Sequence, residues 1–157
     1  MNTRWIAASV LALASVFAGC GGSTTDQDVA GSDATSDTGT TGTPLNGCAD
    51  SMFTDLTAAT ATRTIMFDAV GTTYTPKCAQ IAVGQTVAFM GPFTVHPLAS
   101  GRAPSRPTTD TASATPTPIV STMTGASASF TFPTAGDYGF YCIIHESLGM
   151  FGVIRVR

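Results

Sequence analysis

The sequence predicts an all-β domain over residues 47–157, a Greek-key β-sandwich or barrel of seven to eight short strands. Three observations lead there. Runs of four to eight residues alternate apolar and polar side chains, as half-buried strands do. Glycine- and proline-bearing turn signals separate them. No stretch of that region sustains a helical period, and strands at such spacing suit an antiparallel sandwich or barrel.

Two segments precede the domain. Residues 1–19 open MNTRWIAASVLALASVFAG, with one cation (Arg4) and then 13 uncharged residues, 5–17, ending in small side chains. That is the pattern of a secretory signal. As a helix those residues rise about 20 Å, short of a hydrocarbon core of about 30 Å. The ending Phe17-Ala18-Gly19-Cys20 resembles the lipobox of bacterial lipoproteins. The resemblance implies acylation of Cys20 and an exported protein anchored to a membrane surface by lipid. Gly21, where an aspartate would retain the protein, implies the outer membrane, facing the periplasm or the cell surface. Residues 20–46 are Gly/Ser/Thr/Asp-rich with almost no large apolar side chain, too little to offset the entropy of ordering. They read as a flexible tether with a reach of about 30 Å.

Within the domain, RTIMFDAV (63–70) is β-prone and is broken by Gly71. CAQIAV (78–83) alternates with period two, Gly84-Gln85 turns, and TVAFM (86–90) follows. Gly91-Pro92 interrupts before FTVHPL (93–98) resumes. Residues 99–118 hold Pro104, Pro107, Pro116 and Pro118 and no large apolar residue, which predicts a long loop. ASASFTF (126–132) alternates again, residues 134–137 turn, 138–142 form a strand, and FGVIRV (151–156) is the last. The whole chain has a net charge of −3 and only 11% charged residues, with its seven Lys+Arg scattered singly. That excludes the basic footprint of a nucleic-acid binder.

There are four cysteines. Cys20 belongs to the lipobox and Cys142 to the constellation below. Cys48 and Cys78 remain, and in an exported domain they are expected to form a disulfide. Two free thiols or a second metal site are the alternatives, the latter short of histidines.

The chemistry concentrates in YCIIHESLGMF (141–151), where Cys142, His145 and Met150 fall within nine residues. Fully extended, the first and last would lie over about 25 Å apart. Ser147-Leu148-Gly149 supplies a turn that lets them meet. A thiolate, an imidazole and a thioether do not satisfy zinc. They suit copper, provided a second imidazole joins them. The chain has two histidines, so that imidazole is His96.

YCIIHESLGMFGVIRV resembles the copper-binding end of plastocyanin, pseudoazurin and amicyanin, the small blue-copper cupredoxins. FTFPTAGDYGFYC and CAQIAVGQTVAFM are similar to the strands that lead to their ligands, so the likeness covers about residues 63–157. It implies a cupredoxin-like sandwich with one Cu(I)/Cu(II) ion held by His96, Cys142, His145 and, more weakly, Met150. It also implies a one-electron carrier rather than an enzyme. Electrons would pass the edge of His145 inside an apolar patch, for which Pro92, Phe93, Leu148 and Phe151 are the candidates. Partners are then transient redox donors and acceptors, with the protein a monomer. One departure stands out. The family has Asn after its first ligand histidine, whose N–H donates to the metal-bound sulfur. Here that place is Pro97, which has no N–H. A lost donor leaves more electron density on sulfur and lowers the reduction potential. Tyr138 is expected to pack or to make a corner hydrogen bond rather than to carry electrons, and Glu146 to face solvent. A copper store or delivery protein and a metal-free surface binding module are the rival readings. Neither methionine-rich repeats nor a degraded ligand set supports them.

Overall fold

The structure, a computed structural model, describes residues 43–157. The expected signal segment, Cys20 and residues 20–42 of the expected tether lie outside the described residues. Eight strands form: β1 (Thr54–Asp55), β2 (Thr64–Met66), β3 (Cys78–Ile81), β4 (Thr86–Met90), β5 (Leu98–Ser100), β6 (Ser127–Thr131), β7 (Gly136–Cys142) and β8 (Phe151–Val156). They make a five-stranded sheet, in the order β1-β3-β8-β7-β5, and a three-stranded sheet, β2-β4-β6. The all-β sandwich expected from the sequence is therefore present. Among the described residues no helix is long and apolar enough to cross a membrane.

Alternation explains β4, whose Val87 and Phe89 point inward while Thr86 and Met90 are exposed. The last strand differs: Phe151, Gly152, Val153 and Ile154 are all buried. It lies between β3 and β7, and both its faces are covered, so it reads as a continuous apolar run. One face joins the core between the sheets, built on Ile65, Phe89, Phe93, Leu98, Phe132 and Phe140 with their neighbours. The other face carries Val153, which packs with Leu45, Cys48 and Cys78 beneath Phe53. The Cys48–Cys78 disulfide, formed as expected, pins the segment that covers this face. Gly152 is required here, since a Cβ would overlap the Lys77 carbonyl and the Phe140 ring.

Three expectations are corrected. The sandwich is not purely antiparallel, because β1–β3, β3–β8 and β2–β4 pair in parallel. The chain changes sheet at every step from β1 to β7, so only β7 and β8 are consecutive strands paired in one sheet, and alternation does not encode direction. The strand expected at 93–98 is instead a tight turn, in which Val95 N–H and His96 N–H both donate to the Pro92 carbonyl, and pairing begins only at Leu98. The domain also starts earlier than residue 47. Thr43 pairs with Asp110, and Leu45 and Asn46 are buried. Asn46 has a positive φ of 47°. Its amide donates to the Gly152 (2.9 Å), Gly101 (3.2 Å) and Phe140 (3.3 Å) carbonyls and accepts from Ala103 N–H (2.9 Å). It thereby joins the first described residues to β7, β8 and the loop after β5.

Candidate metal centre

Strand pairing closes the gap of 46 residues between His96 and Cys142. Leu98, two residues past His96, stands opposite Cys142 in the β5–β7 register. Ile143 N–H donates to the Pro97 carbonyl at 2.8 Å, which draws the two ligand segments together. After Cys142 the chain turns through a 3₁₀ turn, Glu146–Leu148, and reverses at Gly149, whose φ of 92° suits glycine. Met150 N–H then donates to the His145 carbonyl (3.2 Å), and Cys142 N–H to the Met150 carbonyl (2.9 Å). All four expected ligands are thus tied by main-chain bonds at one end of the sandwich.

The side chains of three of them converge. Nδ1 of His96 lies 2.9 Å from Nδ1 of His145, and the Cys142 Sγ lies 3.5 Å from His145 Nδ1 and 3.8 Å from His96 Nδ1. Among the described residues this trio is a group able to hold a metal ion, with its donor atoms all within 4.8 Å of one another. Bonds of about 2.0–2.3 Å, usual for nitrogen and sulfur on a first-row ion, span such a triangle. Cys142 is a free cysteine and fully buried, as is Met150, while His96 is 1% exposed and His145 half-exposed. The Phe67 ring meets the His96 ring edge-on at 6.0 Å. The outer Nε2 of His96 is buried without a hydrogen-bond partner. Burial, and then the neighbouring His145, lower the His96 pKa, with Asp68 opposing, which favours the neutral imidazole that a metal ion requires. Two imidazole nitrogens and a thiol gathered at one point, two of the three residues buried, fit a copper ion.

The expected apolar patch is only partly present. Leu148 is 65% exposed and Pro92 half-buried. Phe93 and Phe151 do not belong to it. Phe93 is fully buried against Phe67 at a centroid distance of 5.1 Å. Phe151 lies beneath Lys77 and Arg106. The turn at Pro92 rotates Phe93 into the core and exposes Val95 instead, and Ile143 and Ile144 are exposed between Cys142 and His145. The Cys-x-x-His spacing carries the signal for those two: with both donors turned inward, the residues between them face out. Tyr138 makes the expected corner bond, its Oη donating to the Thr134 carbonyl at 2.9 Å. Glu146 is not simply solvated, since its Oε2 accepts from Ser105 N–H at 2.8 Å.

The model of copper binding proteins of the plastocyanin/azurin family matches residues 61–157. Plastocyanin from Dryopteris crassirhizoma is 22% identical, covering 60% of this chain and 99% of its own, with a TM-score of 0.40. A purple cupredoxin from Nitrosopumilus maritimus is 20% identical over 60% of this chain and 98% of its own, with a TM-score of 0.43. A copper-containing nitrite reductase from Thermus scotoductus is 21% identical over 68% of this chain and 28% of its own, with a TM-score of 0.42. A search of curated proteins finds no match.

Proposed function

Because the chain belongs to the plastocyanin/azurin family of copper-binding proteins, with copper as its cofactor, we propose that it is a one-electron carrier with a type 1 copper site. His96, Cys142 and His145 are the strong ligands and Met150 the weak one. The convergence of two Nδ1 atoms and one Sγ, with His96 and Cys142 buried, carries this reading. When bound, copper supplies a one-electron couple. The chain's task is to hold the donors still and keep water out. The β5–β7 and β7–β8 ladders fix Cys142 and the residues beside His96, and the core buries Cys142, His96 and Met150. His145 alone of the four reaches the surface, among Val95, Ile143, Ile144 and Leu148. A small apolar contact of that kind suits a brief encounter with a redox partner. The reading makes it a carrier rather than an enzyme.

The same proposal assigns residues 1–19 to a signal segment, Cys20 to lipid attachment, and the Gly/Ser/Thr/Asp residues after it to a tether, so that the carrier works as an exported monomer on a membrane surface. The test is copper loading of the purified protein. An intense absorption toward the red end of the visible and a reversible one-electron potential are expected. A colourless cupric preparation would end the proposal.

A further inference from the structure

The long loop after β5 is not slack. Gly101 N–H donates to the Gly139 carbonyl (2.7 Å), Ala103 N–H to Asn46 Oδ1 (2.9 Å), and Thr111 N–H to the Thr43 carbonyl (2.8 Å). Between these hooks Arg106 forms a two-pronged ion pair with the buried Asp110, at 2.7 and 3.3 Å, and its guanidinium lies over the Phe151 ring. Ser105 sits within this anchored segment and grips Glu146 twice. Its N–H donates to Glu146 Oε2 (2.8 Å) and its Oγ to the Glu146 carbonyl (3.1 Å). That carbonyl also accepts from Gly149 N–H at 3.0 Å. Glu146 is therefore held at its side chain and its main chain, in the turn that separates His145 from Met150.

We propose that residues 101–111 form a brace for this turn, with Ser105 and Glu146 as positioning residues that slow the escape of copper. The inference rests on the ligand set proposed above. His145 is the one strong ligand at the surface, so a bound ion leaves most readily by a swing of residues 143–149. That swing must break both Ser105–Glu146 bonds, and the hooks at Asn46, Gly139 and Thr43 prevent the loop from following. One bond is charge-assisted, the stronger kind. Glu146 acts on the ligands only through the backbone of the turn.

The test compares Glu146→Ala, Glu146→Gln and Ser105→Ala in the full chain by two measurements. The first is the rate at which reduced, copper-loaded protein yields Cu(I) to a coloured chelator. The second is amide hydrogen exchange of Leu148 and Gly149 in the copper-free protein, with a denaturant titration of the same sample. Glu146→Ala is expected to release copper about 10-fold faster or more, the factor that loss of one hydrogen bond to a charged group carries. Exchange at Leu148 and Gly149 should accelerate by a similar factor while the denaturation midpoint stays in place. Glu146→Gln, which keeps an acceptor for Ser105 N–H, should stay close to wild type in both, and Ser105→Ala should show a smaller acceleration than Glu146→Ala. Wild-type release and exchange in Glu146→Ala would overturn the brace. So would faster exchange spread over the whole domain with a lower midpoint, which marks a general loss of stability. Failure of the wild-type protein to take up copper would instead strike the ligand set, and the exchange measurement would still decide the brace.

Discussion

Asn46 gives the sharpest test of how the N-terminal residues hold the copper end together. Replacing it with alanine leaves the Ala103 N–H, on a fully buried residue, without a partner. A buried donor left unpaired costs about 1–3 kcal/mol. The 2.9 Å bond to the Gly152 carbonyl is also lost, worth about 1 kcal/mol net. Alanine tolerates the left-handed backbone at φ 47° less well than asparagine, adding about 1 kcal/mol. The sum is about 4 kcal/mol, a large share of the roughly 5–15 kcal/mol that keeps a domain folded. Urea titration of the copper-free, disulfide-intact protein should therefore show a midpoint lower by about 2 M, for a slope of about 2 kcal/mol/M. Asn46→Gly removes the same hydrogen bonds but not the backbone freedom, and should recover about 1 kcal/mol. A loss below about 1 kcal/mol in Asn46→Ala would mean that the four contacts do not act as a bolt.

Replacing both Cys48 and Cys78 with alanine opens a loop with a sequence separation of 30, and should cost about 3–4 kcal/mol in the chain-entropy account. Thermal unfolding reads the loss, while the visible band should persist because the bridge lies on the outer face of the sheet. Pro97→Asn adds an N–H next to the first proposed ligand. The midpoint potential should rise by about 60 mV, one hydrogen bond of about 1.4 kcal/mol at 59 mV per tenfold, and voltammetry showing no rise would refute the role given to Pro97. The lowered His96 pKa sets a direction for acid. The folded state binds that proton less tightly than the unfolded chain, so stability of the copper-free protein is unaffected well above the ordinary imidazole value of about 6.5. It should fall as pH drops below that value, until the folded-state pKa is passed. Copper competes with the proton for the same nitrogen, so loaded protein should hold its stability to lower pH, which paired urea titrations would measure.

The local part of the site was legible and the long-range part was not. Cys142, His145 and Met150 share one turn, and the glycine at 149 marks where the chain reverses. Their spacing is therefore a property of a short peptide. His96 was identified by the demands of copper chemistry on a chain with two histidines, not by any pattern around it. What joins it to Cys142 is the register of a three-residue strand, β5, too short to alternate visibly. The resemblance implied a surface place for Phe93, but the turn at Pro92 buries it. The contacts of Asn46 span 55 to 106 residues and those of Ser105 span 41. Polar pairs at such separations have no periodicity to betray them, and Asn46 and Ser105 look like loop filler in the sequence.

These long contacts account for how His145, the surface-exposed member of the proposed ligand set, can be held firmly. The energy of the fold sits in the core between the sheets and in the smaller cluster around the disulfide. The copper end adds Cys142 and Met150 to the first of these, but the turn between them exposes Ile143, Ile144 and Leu148, and the turn before β5 exposes Val95. Its order comes from hydrogen bonds: Ile143 to Pro97, Cys142 to Met150, Met150 to His145, and Ser105 to Glu146. Each is directional and none needs apolar side chains, so the apolar atoms remain free for a partner. In the described residues Arg63, Lys77, Arg102, Arg106, Arg155 and Arg157 balance Asp50, Asp55, Asp68, Asp110, Asp137 and Glu146, so the formal −3 of the chain resides in residues 1–42. A body without net charge exerts little long-range steering. Encounter then depends on the apolar contact itself and on confinement to the surface where the proposed lipid would hold it.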